Sequence, residues 1–151
     1  INIDAVLPTG EANDMVVVGY GASQLEDLLK EIIDEQGRTI VPDPEPEAGY
    51  FYRSDHISLA KKGVPMLYAD AGVDLVEGGA AAGTMAGDTY RREAYHGVSD
   101  EYAPDWNIAG MVQVAVTDYE LAKRLANSDQ WPAWYDGNEF KGIREASLAG
   151  E

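Results

Sequence analysis

Cysteine is absent from the 151 residues, histidine occurs twice, and 27 acidic side chains outnumber 11 basic ones. The missing thiols exclude disulfides, thiolate metal ligands and cysteine nucleophiles, while leaving the compartment open. The formal net charge of -16 repels phosphate backbones, whereas nucleic-acid binding needs a basic patch, so nucleic acid is excluded as a partner. No run approaches the roughly 18 apolar residues of a membrane helix, and no membrane partner is expected. The longest apolar strings, such as Met15 to Val18, suit buried strands instead. Acidity on this scale reads as a solvated surface and names no partner. Chemistry that needs imidazole rests on His56 and His96 alone.

A hydrophobic content of 45% over this length suffices for one core, so residues 1–151 read as one domain or part of one. Neither a basic nor an apolar leader opens the chain at Ile1, and no targeting signal is visible. Ile1 to Val6 and Met15 to Tyr20 read as central strands separated by a Pro8-Thr9-Gly10 turn. Ser23 and Glu26 form a capping box ahead of a helical stripe of Leu25, Leu28, Leu29, Ile32 and Ile33, which Gly37 ends.

The prolines of Asp43-Pro44-Glu45-Pro46-Glu47 exclude regular structure, which makes residues 42–50 an exposed connector. Ser54 is placed to cap a short helix through Lys61 that stops at Gly63, and Val64 to Ala69 reads as another buried strand. Residues 70–90, rich in Gly and Ala and without an amphipathic period, read as a long mobile loop, either the rim of a cleft or a tolerated insertion. Ile108 to Asn127 carries an amphipathic helical pattern whose start Trp106 anchors. The aromatics of Trp131-Pro132-Ala133-Trp134-Tyr135 clamp the terminal segment to the core, and a last helix spans about 139–147. Strands alternating with helices favour a three-layer α/β/α arrangement.

Three segments carry chemistry. They are Asn2-Ile3-Asp4, Arg53-Ser54-Asp55-His56 followed by Gly63-Val64-Pro65, and Tyr95-His96-Gly97-Val98-Ser99-Asp100. A neutral imidazole is a usual zinc ligand, yet a lone His beside an Asp is more often a surface or capping residue. The order of the three segments resembles that of the co-catalytic di-zinc aminopeptidases of metallopeptidase family 28, and the likeness runs through most of the chain. It implies a mixed, mostly parallel sheet with helices on both faces, the zinc-aminopeptidase architecture of the phosphorylase/hydrolase-like type. It also implies that Asp4 is a ligand of one zinc and His96 a ligand of the other. Tyr95 would donate its hydroxyl to a developing oxyanion, and Arg53 would steady the tetrahedral intermediate or a substrate carboxylate. Asp55 and His56 would lie beside the site without binding metal, and Asp100 would orient the His96 imidazole.

In that family a His-x-Asp ligand motif, a bridging Asp and a Glu-Glu pair precede the Asn-x-Asp strand, and none of them precedes Asp4 here. One ligand per ion falls short of the roughly three that a catalytic zinc uses. The resemblance therefore implies the C-terminal part of a zinc exopeptidase, inactive and without tightly bound zinc when isolated. Its partners would be a peptide substrate and the N-terminal part of its own catalytic domain, and its residence extracytoplasmic. Two alternatives share the fold: a non-catalytic receptor-type relative and a glutaminyl-peptide cyclase-like enzyme.

Overall fold

The computed structural model describes residues 1–150. Its centre is a three-stranded sheet in the order β2-β1-β3, built from β1 (Asp14–Val18), β2 (Thr39–Pro42) and β3 (Tyr68–Ala71). β1 pairs parallel with β2 and antiparallel with β3, so the sheet is mixed and the fold α/β, as expected. Every residue of β1 is buried, as in a strand covered on both faces. The pleat sends Met15, Val17, Ile40 and Ala69 to one face and Val16, Val18, Val41 and Tyr68 to the other.

The first face is covered by α1 (Leu25–Glu35) and α4 (Ala109–Ala126), which pack on each other and on the sheet. Leu25, Leu29, Ile32 and Ile33 supply the apolar stripe of α1, and Val114 and Leu121 supply that of α4. Each such side chain contributes about 1.5–3 kcal/mol when fully buried. Only half of the expected capping box of α1 forms: Glu26 reaches back, accepting weakly from the Ser23 N–H at 3.4 Å, whereas the Ser23 hydroxyl donates to the Met66 carbonyl at 3.1 Å and Gln24 stands at the N-cap. The Glu26 carboxylate accepts from the backbone N–H groups of Gly21 and Ala22 at 2.7 to 3.0 Å. The Leu25 N–H donates more weakly to Ser23 Oγ at 3.4 Å. Trp134 closes a smaller cluster with Ile57, Met66 and Phe140, and its indole N–H donates to the Gly63 carbonyl at 2.9 Å. Trp131, by contrast, is 83% exposed and clamps nothing. The chain ends on α5 (Lys141–Ala149), close to the expected 139–147.

Four expected elements are corrected, three of them short. Ile1 to Val6 forms no strand: a single parallel bridge joins Asn2 to Tyr68, through the Asn2 N–H and the Leu67 carbonyl at 2.8 Å. A strand needs a ladder, and Ile1 and Ile3 point outward at 39% and 53% exposure. The strand expected at Val64 to Ala69 starts four residues later, at Tyr68, because Pro65 has no N–H for a ladder. The helix expected from Ser54 to Lys61 is the single turn α2 (Ile57–Ala60).

The largest correction concerns residues 70–90, which are not a long loop. β3 runs to Ala71, and α3 (Gly79–Glu93) is a helix of 15 residues. Ala is the strongest helix former, and Gly78 and Gly79 take up the left-handed turn that starts the helix. Gly83 and Gly87, four residues apart, form its buried face. A Cβ on Gly83 would lie 2.1 Å from the Val73 carbonyl oxygen. The period of this helix is thus carried by residues without side chains, which a hydrophobic pattern does not register.

Candidate active site

The second face of the sheet is the floor of a cleft of about 440 Å³. Val16, Val18 and Tyr68 pave it, and Gly83 and Gly87 of α3 form part of its wall. Four of the residues singled out by sequence line this one cleft: Asp4, Arg53, Tyr95 and His96. They come from three segments of the chain that are far apart in sequence.

Asp4 arrives through the bridge that ties Asn2 to β3. The Ser54 hydroxyl donates to Asp4 Oδ2 at 2.6 Å, and Asn2 Nδ2 donates to Ser54 Oγ at 2.8 Å. Ser54 is buried, so the relay is fixed from below while the Asp4 carboxylate stays exposed to the cleft. Arg53, the residue before it, is exposed, with its guanidinium 5.9 Å from the Tyr50 ring centroid and no carboxylate within ion-pair distance among the described residues. It is the cation left available for an anionic group.

The Tyr95-His96 pair sits on the turn that follows α3. His96 has φ 58°, the only positive value at a non-glycine position among the described residues. Such a conformation costs about 1–2 kcal/mol for an L-residue and persists only where the surroundings impose it. The rings of Tyr95 and His96 stack with centroids 3.9 Å apart. Asp100 does not touch the imidazole as expected; it accepts instead from the His96 backbone N–H at 3.4 Å and from the Tyr90 hydroxyl at 2.9 Å. Burial and the bond to Asp100 push the Tyr90 hydroxyl up to about 12, which keeps it a donor.

His56 stays outside the cleft. It is 2% exposed, meets the ring of Phe51 edge-on at 4.7 Å and lies 5.4 Å from Tyr68. Neither ring nitrogen has a hydrogen-bond partner among the described residues. Burial holds its pKa below the usual value, so the ring is neutral at pH 7. Asp55 is exposed beside it and is not part of the cleft lining.

Sequence reasoning missed Asp70, Ser54 in its role on Asp4, and Tyr90. Asp70 pairs with Val16 across the sheet and lines the cleft. Burial on this apolar floor raises its carboxyl to about 6, with the Ala71 N–H opposing and Asp4 and Asp43 adding. The alternation of β3 carries the signal, since Asp70 lies two residues from Tyr68 and shares its face.

Asp4 and His96 are donor types that zinc accepts, and they face the same cleft. No three His, Asp or Glu side chains are grouped as a metal site among the described residues. These residues alone do not make a complete zinc centre, and the fit is that of a partial ligand set. No curated protein and no solved structure matches the chain. The sequence profile of peptidase family M28 matches residues 1–119, which include all three segments that build the cleft. The chain therefore belongs to peptidase family M28, a family of hydrolases that cleave peptide bonds and are generally metal-dependent.

Proposed function

We propose that the chain supplies one part of the active site of a zinc aminopeptidase, with Asp4 and His96 as one ligand to each of two ions. The observation that carries this reading is the convergence of Asp4, Arg53, Tyr95 and His96 on one cleft from separate segments. The remaining ligands and the general-base carboxylate come from polypeptide outside these residues. Zinc at such a centre supplies an activated water for attack on an N-terminal peptide bond.

The residues of this chain hold and orient. Ser54 fixes one oxygen of Asp4, and the other oxygen of that exposed carboxylate would be the one offered to a metal. Tyr95, stacked on His96, offers its hydroxyl to a substrate carbonyl oxygen as negative charge develops there. Arg53, without a carboxylate partner, meets a substrate carboxylate or the tetrahedral oxygens.

Two measurements test this. Zinc retained by the 151-residue chain after saturation and exhaustive dialysis should be close to none; two retained ions would mean that other carboxylates complete the site. In the assembled peptidase, His96→Ala should lose zinc and hydrolysis of an aminoacyl anilide together, whereas Tyr95→Phe should keep zinc and lower turnover. Full activity in both variants would remove this cleft from the chemistry, whereas a wild type that hydrolyses no anilide would favour a receptor-type relative.

A further inference from the structure

We propose that Tyr90 and Asp100 are positioning residues that clamp the Tyr95-His96 turn, holding His96 in its left-handed conformation with its side chain on the cleft. Tyr90 grips both ends of this turn. Its backbone carbonyl accepts from the N–H groups of Ala94 and Tyr95, both at 2.9 Å, which ends α3 immediately before the turn. Its hydroxyl donates to the Asp100 carboxylate at 2.9 and 3.0 Å, on the far side of the turn. Asp100 then reaches back to the His96 N–H at 3.4 Å.

Smaller bonds close the loop around the same point. The Ser99 hydroxyl donates to the Glu93 carbonyl at 2.6 Å, the Gly97 N–H to the Ala94 carbonyl at 2.7 Å, and the Asp100 N–H to the Gly97 carbonyl at 3.1 Å. None of these acts on His96 itself. The bond from Asp100 is the one given to the His96 backbone, and Tyr90 aims that carboxylate. A histidine held at φ 58° on an otherwise exposed turn needs such a restraint, because L-residues relax to negative φ when free.

The functional meaning of the clamp rests on the reading of His96 as a metal ligand; its existence rests on hydrogen bonds alone. The test is NMR of the 151-residue chain as wild type, Tyr90→Phe, Asp100→Asn and Asp100→Ala, followed by addition of zinc ion. In the wild type the His96 Cα shift and its amide coupling should report a left-handed residue. Tyr90→Phe, which removes only the hydroxyl, should lose at least half of that population, with the core signals of Leu29 and Leu121 unmoved. Asp100→Ala should match it, and Asp100→Asn, which keeps an acceptor oxygen, should fall between. If Tyr90→Phe does not fold, the two variants on the exposed Asp100 give the same readout.

A His96 that remains left-handed in Tyr90→Phe and Asp100→Ala overturns the proposal. Zinc should shift the His96 imidazole signals in the wild type and shift them several-fold less in Tyr90→Phe. A turn that relaxes in the variants supports the clamp whether or not the wild-type imidazole responds to zinc, because this chain alone offers one ligand per ion.

Discussion

Ser54 donates its hydroxyl to Asp4 across 50 residues of chain, at 2.6 Å, and receives the side-chain amide of Asn2 at 2.8 Å. A carboxylate held at one oxygen presents the other in a fixed direction, which is how an outer partner tunes a metal ligand. Ser54→Ala is therefore expected to weaken zinc in the assembled peptidase by about 10–100-fold, with Ser54→Thr restoring most of it. Competition against a chelator of known affinity reads this directly. Equal affinities for wild type and Ser54→Ala would remove Ser54 from the site.

His56 lies two residues further on and behaves differently. Both ring nitrogens are buried without partners, between Phe51 and Tyr68. Replacing an unsatisfied polar group by an apolar one of similar shape is neutral or stabilising. His56→Phe should keep zinc and leave stability at pH 7 equal or higher. The pH dependence has a definite sign. The folded pKa is depressed by burial, so the unfolded chain binds the extra proton and stability falls as pH drops below about 6.5. Melting curves at pH 7.5 and 5.5 should converge in the variant relative to wild type, and an unchanged acid loss would put its origin elsewhere.

The sequence made β1, α1 and α4 legible because their side chains carry the signal: an unbroken apolar run, Met15 to Val18, in β1, and the helical period of Leu25, Leu29, Ile32 and Ile33 in α1. It concealed α3, whose contact face is Gly83 and Gly87, and it concealed the loss of the strand at Ile1 to Val6, which depends on what lies beside it. Asp4, Arg53, Tyr95 and His96 were legible as a group through their resemblance to a family. The groups that hold them were not: Ser54 looks like a helix cap, and Tyr90 like one residue of a Gly- and Ala-rich loop. Hydrogen bonds between distant segments have no local period, so pattern alone does not reveal them.

Asp118 on α4 is 5% exposed, and both carboxylate oxygens lack partners among the described residues. Burial raises its pKa to about 7. Here the sign is opposite to that of His56: the folded state binds the extra proton, so stability is highest in acid and falls as pH rises from about 4 towards 7. Asp118→Asn should flatten that limb, and Asp118→Leu should raise stability at pH 8 by about 1–3 kcal/mol through removal of the unpaired charge. Denaturant titrations at pH 5 and pH 8 measure both. A variant less stable than wild type at pH 8 would show that Asp118 has a partner in solution.

Gly83 and Gly87 give the sharpest contrast in the molecule, because both lie on the buried face of α3 yet meet different neighbours. A Cβ at Gly83 would sit 2.1 Å from the Val73 carbonyl oxygen, a backbone atom that moves only with the strand-to-helix connection. At Gly87 the nearest atom is the end of the Arg91 side chain at 3.5 Å, an ordinary contact with a flexible group. Gly83→Ala should therefore cost about 1–3 kcal/mol through overpacking and displace α3 from the cleft wall. Gly87→Ala should gain up to about 1 kcal/mol, the helix preference of Ala over Gly. Thermal melts of the two single variants decide the matter. Equal shifts of the same sign would mean that α3 does not approach Val73 as closely as its glycines allow.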